Sequence, residues 1–291
     1  MQEMEKVLPE LAVIGWPLQK TFSPIIQNAA LKSLGITWRY EAIPVPPDEV
    51  DKFFFKASKT MKGFNVTMPH KYRAYELCDK KDDFANICGA VNTVVFRQIE
   101  GKIKIFGYNT DGPGLMRALR ERAKKTIGSA LFLGAGGAAA GGIAALLASG
   151  TSRIYIANRT LKKAEDLAES FRRKFKTSEI VAIELKREQI LEALKEAELV
   201  VNCIPDEGAA SLEDFLVEAG KDRIFCDFSY GEKPGRLYLR AEKAGYTMVS
   251  GIEILVWQGA YAFEIFTGVE CPVESMKNAL VEKIGSWWLA C

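Results

Sequence analysis

Residues 131–139 read Leu-Phe-Leu-Gly-Ala-Gly-Gly-Ala-Ala, an apolar strand that runs into a G-x-G-x-x-A turn and then into a small-residue helix over 138–149. Gly134 permits the tight turn, Gly136 lets the backbone approach a ligand, and Ala139 lets the helix pack close to its strand. The helix N-terminus carries unpaired N–H groups and a positive dipole, which both favour a phosphate. The stretch therefore predicts a Rossmann unit that binds a dinucleotide, with a flavin or S-adenosylmethionine as alternative ligands.

The end of the second strand indicates which dinucleotide is bound. This strand, residues 153–157, ends about twenty residues after the glycine-rich turn, where an NAD-specific enzyme places Asp or Glu on the ribose hydroxyls. The chain carries Asn158, Arg159 and Thr160 at that point, followed by two lysines. Cationic donors without a carboxylate suit a 2′-phosphate, so we expect NADP rather than NAD.

The composition is typical of a globular protein and excludes several classes of function. A length of 291 residues suits two domains, and 48% hydrophobic with 26% charged residues is ordinary. The net charge of +2 predicts no broad basic face for nucleic acid. The single histidine, His70, excludes a multi-histidine metal centre, so no metal is expected, and His70 itself is expected at the surface or at a helix cap. We find no signal peptide and no apolar run of membrane-spanning length. We expect Cys203 and Cys226 to be buried free thiols, as in a reducing compartment. These features together predict a cytoplasmic protein without a membrane partner.

The order of strand and helix signals predicts an α/β protein of two domains. Residues 1–110 read as a mixed α/β domain, with a first strand at 11–15 and a hairpin around Glu100-Gly101. From 111 to 251 the regular βα alternation predicts a doubly wound parallel sheet, the Rossmann NADP-binding domain. The tail, 252–291, reads as two helices that we expect to complete the N-terminal, substrate-binding domain. Strands of the second domain are predicted at 129–133, 153–157, 180–184, 199–204, 224–228 and 246–249, and helices at 137–149, 161–174, 187–196, 211–219 and 235–244.

Polar side chains follow strand ends in the N-terminal domain, in segments that are otherwise apolar. They form four clusters, at 15–17 with 21–24, 63–71, 89–93 and 107–112. Hydroxyls, carboxamides, one ammonium and one carboxylate are the groups that an anionic, polyhydroxylated small molecule would require. Lys71 would meet a carboxylate or alkoxide charge, and Asp111 would accept a hydrogen bond from a hydroxyl and pair with Lys71. The co-occurrence of all four clusters with an NADP-type fold favours a functional role for this pair.

Most of these polar residues also have a structural interpretation. Thr21 or Ser23 would serve as a helix cap, and Asn65 and Asn92 would satisfy backbone groups of loops. The segment 109–112, Asn-Thr-Asp-Gly, has the composition of a turn. Taken singly, the structural interpretation is favoured for Thr21, for Asn92 and for the threonine of that segment.

Seven motifs follow one another along nearly the whole chain: GWPLQKTFSP, GFNVTMPHK, GAVNT, GYNTDGPG, GAGGAAAG, NRT and SGIEILVWQGAYAFEIFTG. In order and spacing they resemble the shikimate dehydrogenase family. The resemblance implies NADP-linked, reversible reduction of 3-dehydroshikimate to shikimate in the biosynthesis of aromatic amino acids. It implies these small molecules as partners, and we expect a monomer or a homodimer.

The resemblance also implies roles for individual residues. Lys71 and Asp111 would be the catalytic pair, with Lys71 as the proton donor in reduction and Asp111 orienting it. Direct participation of Asp111 as the acid stays open. The substrate would be bound by Thr21, Ser23, Asn65, Thr67, Asn92, Tyr230 and Gln258. NADP would be held by Gly134, Gly136, Gly137, Ala138, Asn158, Arg159, Thr160 and Gly251.

Three departures from the family pattern leave alternatives open. Thr21 replaces the usual serine, so contact with a substrate carboxylate requires that its methyl group fits. Only Tyr230 matches the family after the strand at 224–228, and residues 202–207 differ on the nicotinamide side. A dehydrogenase of quinate and shikimate, or of a related cyclic polyol acid, is therefore the first alternative. A non-catalytic NADP sensor and an enzyme of the methylene-tetrahydrofolate type are the others; the intact catalytic pair disfavours the former, and the NRT and NTD motifs disfavour the latter.

Overall fold

The computed structural model describes residues 8–18, 21–123, 126–205 and 222–289. The chain divides into two compact units: a first unit of Met1–Thr110 with Gly259–Leu280, and a second unit of Asp111–Gln258 with Val281–Cys291. Each unit contains one sheet with helices, so the predicted α/β class is confirmed. The helix predicted at 211–219 and part of the divergent segment, Asp206 and Glu207, lie outside the described residues.

The first unit contains a six-stranded mixed sheet. Its strands are β1 (Leu11–Gly15), β2 (Tyr40–Pro44), β3 (Gly63–Val66), β4 (Lys80–Lys81), β5 (Thr93–Ile99) and β6 (Lys102–Tyr108). They lie in the order β2-β1-β3-β5-β6-β4. β1 is parallel to both of its neighbours, whereas β5 is antiparallel to β3 and β6, the latter through the predicted hairpin. The central strands β1 and β3 are buried along their whole length, as apolar strands flanked on both sides should be.

Four helices accompany this sheet: α1 (Ser23–Ser33), α2 (Val50–Thr60), α3 (Lys71–Leu77) and α4 (Asp83–Cys88). Phe64 of β3 packs edge-to-face against Phe53 and Phe54 of α2, with ring centroids 5.2 and 4.9 Å apart. Such pairs add about 0.5–1.5 kcal/mol each beyond the area that they bury. A 3₁₀ turn, Pro47–Glu49, directly precedes α2.

The second unit contains a parallel six-stranded sheet. Its strands are β7 (Ser129–Leu133), β8 (Arg153–Asn158), β9 (Glu179–Glu184), β10 (Leu199–Asn202), β11 (Ile224–Asp227) and β12 (Thr247–Val249). They lie in the order β12-β11-β10-β7-β8-β9, and every pair is parallel. The direction of the strand order reverses between β7 and β10, which is the doubly wound arrangement predicted for a Rossmann domain.

Seven further helices complete the described chain: α5 (Asp111–Arg122), α6 (Gly137–Ala148), α7 (Leu161–Arg172), α8 (Arg187–Glu196), α9 (Arg236–Lys243), α10 (Gly251–Thr267) and α11 (Val273–Ile284). The last two are the predicted tail helices. The boundary between the units falls inside α10, after Gln258, and inside α11, after Leu280. No helix in the described ranges is both long enough and apolar enough to span a bilayer.

The cysteines lie in two kinds of environment. Five of them fall within the described residues, and all five are free thiols. Cys226 is buried in β11, as predicted, and this burial raises the pKa of its thiol. Cys203 is only half-buried, so the prediction of a buried strand residue is wrong there, because β10 ends one residue earlier, at Asn202.

Candidate active site

The glycine-rich turn of the second unit has the geometry of a phosphate cradle. Gly134 has a φ of +110°, a conformation that strains any other residue, and a Cβ at this position would crowd the backbone carbonyl of Cys203 at 3.3 Å. Gly136 is exposed, and a Cβ there would meet nothing within 4 Å. It is the N-cap of α6, and no described side chain caps that helix. Because Gly137 and Ala138 open the helix, their N–H groups lack intrahelical acceptors and are available to an anion.

The polar end of β8 lies beside this turn in the sheet order. Asn158 is the last residue of the strand, and its Nδ2 donates a hydrogen bond of 2.9 Å to the carbonyl oxygen of Thr160. Arg159 and Thr160 are exposed. Lys162, a further cation in the segment, forms an exposed ion pair with Asp166 at 2.8 Å. Arg159 is therefore better placed than Lys162 to bind a ligand phosphate.

Three other predicted site residues, Tyr230, Gly251 and Gln258, lie in the second unit and differ in their exposure and contacts. Tyr230 follows β11 and is 37% exposed. Gln258 lies in α10, where its Nε2 donates to the carbonyl of Leu255 at 3.0 Å. Gly251 opens α10, and a Cβ there would lie 2.3 Å from the carbonyl oxygen of Ser229, so this position tolerates only glycine. The sequence alone shows neither of the last two contacts.

The carboxylate of Asp111 lies at the start of a helix rather than in a turn. Asp111 is the first residue of α5 and is 6% exposed. The interpretation of 109–112 as a turn is therefore wrong for its second half. A carboxylate in the first helical turn is stabilised by the helix dipole.

In the first unit, His70, the residue before Lys71, anchors the start of α3. His70 is 2% exposed, and its Nε2 lies 2.7 Å from the carbonyl oxygen of Val45. Because a carbonyl only accepts, Nε2 carries the proton in this bond. His70 is the N-cap residue of α3, as one of the two predicted alternatives has it, although its side chain makes no capping hydrogen bond. The other alternative, a surface histidine, is wrong, because the buried imidazole links this residue to the segment after β2. Lys71, the half-buried first residue of α3, also accepts a bond from the Val91 N–H through its carbonyl, at 3.0 Å.

The hydroxyls at the start of α1 bind each other. Thr21 Oγ1 accepts a hydrogen bond from the Ser23 N–H at 3.2 Å, and its hydroxyl donates to Ser23 Oγ at 3.2 Å. Phe22 is the N-cap of the helix, so neither hydroxyl residue occupies the capping position that the sequence suggests. Thr67, by contrast, lies half-buried after β3, with its backbone N–H donating to the carbonyl of Ile14.

A buried polar network joins the strand ends of the first unit. Asn65 is 8% exposed, Asn92 2%, Thr93 0% and Thr110 2%. Asn65 Nδ2 donates to Thr93 Oγ1 at 2.9 Å, and Thr93 Oγ1 donates to Asn92 Oδ1 at 2.9 Å. Asn92 Oδ1 also accepts from the Thr110 N–H at 2.9 Å. Tyr40 donates to Asn65 Oδ1 at 2.7 Å from a strand 25 residues away, a contact that no local sequence signal indicates.

Within the described ranges, no group of three or more His, Cys, Asp or Glu residues is placed to hold a metal ion. The polar groups fall instead into two sets. The second unit offers N–H groups and a cation for phosphates, and the first unit offers hydroxyls, amides and an ammonium. This combination fits a dinucleotide and a small polar molecule.

Comparison with known proteins matches this division along the chain. Residues 13–94 match the model of the shikimate dehydrogenase substrate binding domain, 118–229 that of shikimate / quinate 5-dehydrogenase, and 251–281 that of the shikimate 5′-dehydrogenase C-terminal domain. A protein named shikimate dehydrogenase (NADP(+)) from Methanopyrus kandleri is 41% identical over 94% of this chain and 95% of its own.

Two solved structures show the same similarity. Shikimate 5-dehydrogenase from Thermus thermophilus, in complex with NADP(H) and shikimate, has a TM-score of 0.76 and 32% identity over 94% of this chain and 99% of its own. Quinate dehydrogenase from Corynebacterium glutamicum, in complex with NAD, has a TM-score of 0.82 and 25% identity over 94% and 98%.

Proposed function

This chain belongs to the shikimate dehydrogenase family, and from that premise we propose that it catalyses the reversible, NADP-dependent reduction of 3-dehydroshikimate to shikimate in aromatic amino-acid biosynthesis. The observation that carries the proposal is the 41% identity, over 94% of the chain, to a relative named as the NADP-dependent enzyme. The polar groups of the two units support it, because they suit a dinucleotide phosphate and a polyhydroxylated acid.

We assign NADP binding to the second unit. The N–H groups at Gly137 and Ala138 would hold the pyrophosphate, where Gly134 and Gly136 leave room for it. Asn158, Arg159 and Thr160 would hold the 2′-phosphate, and Gly251 would line the cofactor. When bound, the reduced form, NADPH, would supply the hydride in reduction, and the oxidised form, NADP+, would accept it in oxidation. The residues present fit the cofactor because the space beside the Gly136 Cα is open to 4 Å and the cation at the end of β8 is exposed.

We assign substrate binding to Thr21, Ser23, Asn65, Thr67, Asn92, Tyr230 and Gln258. Thr21 donates to Ser23 Oγ, which leaves the Ser23 hydroxyl proton to donate to a substrate carboxylate. Both N–H groups of the Asn65 amide are used, on the Asn92 carbonyl and on Thr93. Asn65 therefore meets a substrate hydroxyl with a remaining lone pair of its oxygen, as an acceptor.

Lys71 is the proton-transfer residue of the proposed reaction. Reduction of a ketone produces an alkoxide that is too basic to persist at neutral pH, so a proton must be delivered with the hydride. The ammonium of Lys71 delivers it and stabilises the developing negative charge. Asp111 accepts a hydrogen bond from a substrate hydroxyl and orients the reacting groups. In the alternative assignment, the Asp111 carboxyl transfers the proton itself.

The proposal assigns substrate binding and cofactor binding to different parts of the chain. Residues 1–110 with 252–291 would form the substrate-binding catalytic domain, and 111–251 the NADP-binding domain. We further propose a cytoplasmic enzyme, monomeric or homodimeric, that acts on a small molecule and not on nucleic acid or a membrane.

Oxidation of quinate is the second candidate activity. The family model that matches 118–229 is described as shikimate / quinate 5-dehydrogenase, and a quinate dehydrogenase has a closely similar fold. Steady-state rates with shikimate and quinate, each with NADP and NAD, separate the two activities. A purified chain that binds NADP and turns over neither acid would favour the sensor, and turnover of methylene-tetrahydrofolate would favour the remaining alternative.

A further inference from the structure

The hydroxyl of Thr93 joins two side chains to which we assign substrate binding. Thr93 is the first residue of β5, directly opposite Asn65 on β3, and it is fully buried. Its Oγ1 lies 2.9 Å from Asn65 Nδ2 and 2.9 Å from Asn92 Oδ1.

Two backbone groups determine the direction of every hydrogen bond in this set. The nitrogen of the Asn65 amide faces the carbonyl oxygen of Asn92 at 3.2 Å, and a carbonyl only accepts. The oxygen of the Asn92 amide faces the N–H of Thr110 at 2.9 Å, and an N–H only donates. The Thr93 hydroxyl must therefore accept from Asn65 and donate to Asn92, since no other arrangement satisfies both amides.

The Asn65 amide is held at both of its ends. Its nitrogen donates to the Asn92 carbonyl and to Thr93, and its oxygen accepts from the Tyr40 hydroxyl at 2.7 Å. A planar amide held by one hydrogen bond can still rotate about that hydrogen bond, whereas several hydrogen bonds, each an anchor, define the plane of the amide. The Thr93 hydroxyl is an anchor that Asn65 shares directly with the Asn92 side chain.

We propose that Thr93 is a positioning residue for substrate binding, whose hydroxyl aligns the Asn65 and Asn92 amides with each other. This rests on the proposed function, because both amides are taken to contact the substrate. Thr93 is buried behind them, so it acts through them. A misplacement of binding groups by about 1 Å costs on the order of a hundredfold in rate.

Two substitutions at Thr93 separate the hydroxyl from the shape of the side chain. Thr93→Val keeps the branched shape and deletes both hydrogen bonds, and Thr93→Ser keeps the hydroxyl. We expect Thr93→Val to lower kcat/KM for shikimate by about tenfold or more, and Thr93→Ser to stay within about threefold of wild type. The Kd for NADP should be unchanged in both variants, because the assigned cofactor residues belong to the second unit.

A second variant, at Tyr40, acts on the oxygen of the same Asn65 amide. Tyr40→Phe removes only the hydroxyl that donates to Asn65 Oδ1. Because both substitutions act through Asn65, the loss in the Tyr40→Phe/Thr93→Val double variant should be smaller than the product of the two single losses. Losses that simply multiply would mean independent effects and would contradict positioning through Asn65.

Side-chain amide exchange, followed by NMR on the full chain, tests the hydrogen bonds without reference to activity. Thr93→Val should accelerate exchange of the Asn65 Nδ2 protons, and Thr93→Ser should not. A Thr93→Val protein that keeps wild-type kcat/KM for shikimate, or wild-type amide exchange, overturns the proposal even if its Tm falls. If wild type fails to turn over shikimate, the proposed function fails, while the exchange measurement still decides whether Thr93 orients the amide.

Discussion

Replacement of Arg159 by alanine should weaken NADP binding selectively. Arg159 is exposed at the end of β8, where we assign it to the 2′-phosphate that NAD lacks. A hydrogen bond to a charged partner contributes about 1.5–3 kcal/mol, and exposure to solvent favours the lower half of that range. The expected loss in NADP affinity is therefore about 10–40-fold, and NAD affinity should change much less.

The matched control is Lys162→Ala in the same segment. Lys162 is bound to Asp166 at 2.8 Å on the exposed face of α7, so its removal should change NADP affinity by less than about threefold. Fluorescence titration with NADPH and NADH, at low and at raised salt, measures the affinity of both variants for both cofactors. Equal losses for the two cofactors in Arg159→Ala, or a larger loss in Lys162→Ala, would refute the assignment of the 2′-phosphate to Arg159.

Three further predictions concern catalysis and stability. Lys71→Ala should lower kcat by about 10²–10⁴-fold and leave the Kd for NADPH unchanged, and near-normal turnover would exclude Lys71 as the proton-transfer residue. Gly251→Ala would place a Cβ 2.3 Å from the carbonyl oxygen of Ser229 and should cost about 1–3 kcal/mol of stability, which calorimetry would show as a lower Tm. Burial raises the pKa of the Cys78 thiol from 9.0 to about 12. The folded state holds that proton more tightly, so the free energy of unfolding should fall as pH rises from 9 toward 12, and Cys78→Ala should reduce the slope in urea titrations.

The Rossmann unit is predictable from sequence because its signals are local. Apolar runs of strand length alternate with helical segments, and the turn beginning at Gly134 combines residue types that one ligand requires at adjacent positions. The strand predicted at 129–133 has the same bounds in the structure, and the helix at 187–196 does as well. The other boundaries that fall within the described residues of this unit shift by at most two residues, because helix and strand ends depend on packing as well as on propensity.

The start of α5 shows why a local signal can mislead. Residues 109–112 carry turn-forming residue types, and Pro113 and Gly114 are poor helix formers. Proline is nevertheless tolerated in the first turn of a helix, because the backbone N–H that it lacks would have no intrahelical acceptor there. Gly114 is needed because a Cβ there would lie 2.8 Å from the backbone nitrogen of Gln258. Tertiary packing thus outweighs propensity in this segment.

The polar groups of the first unit are predictable by type but not by partner. The motifs identify Asn65 and Asn92 as candidates. Asn65, however, is held by Tyr40 and Thr93, which lie 25 and 28 residues away, and Asn92 accepts from Thr110, which lies 18 residues away. The surface alternative for His70 fails for the same reason, since the partner of its imidazole is a carbonyl 25 residues earlier. Contacts between strands that are separated along the chain have no signature in a single sequence.

The most direct test of the proposed activity is kcat/KM of the purified chain for shikimate with NADP+, measured beside quinate and NAD+ by absorbance at the nicotinamide band. Shikimate with NADP+ should be the best of the four combinations, by at least about tenfold over either change of substrate or cofactor. A higher kcat/KM for quinate, or for NAD+, would contradict the proposed assignment of substrate or cofactor, and no turnover of any combination would contradict the proposed enzyme itself.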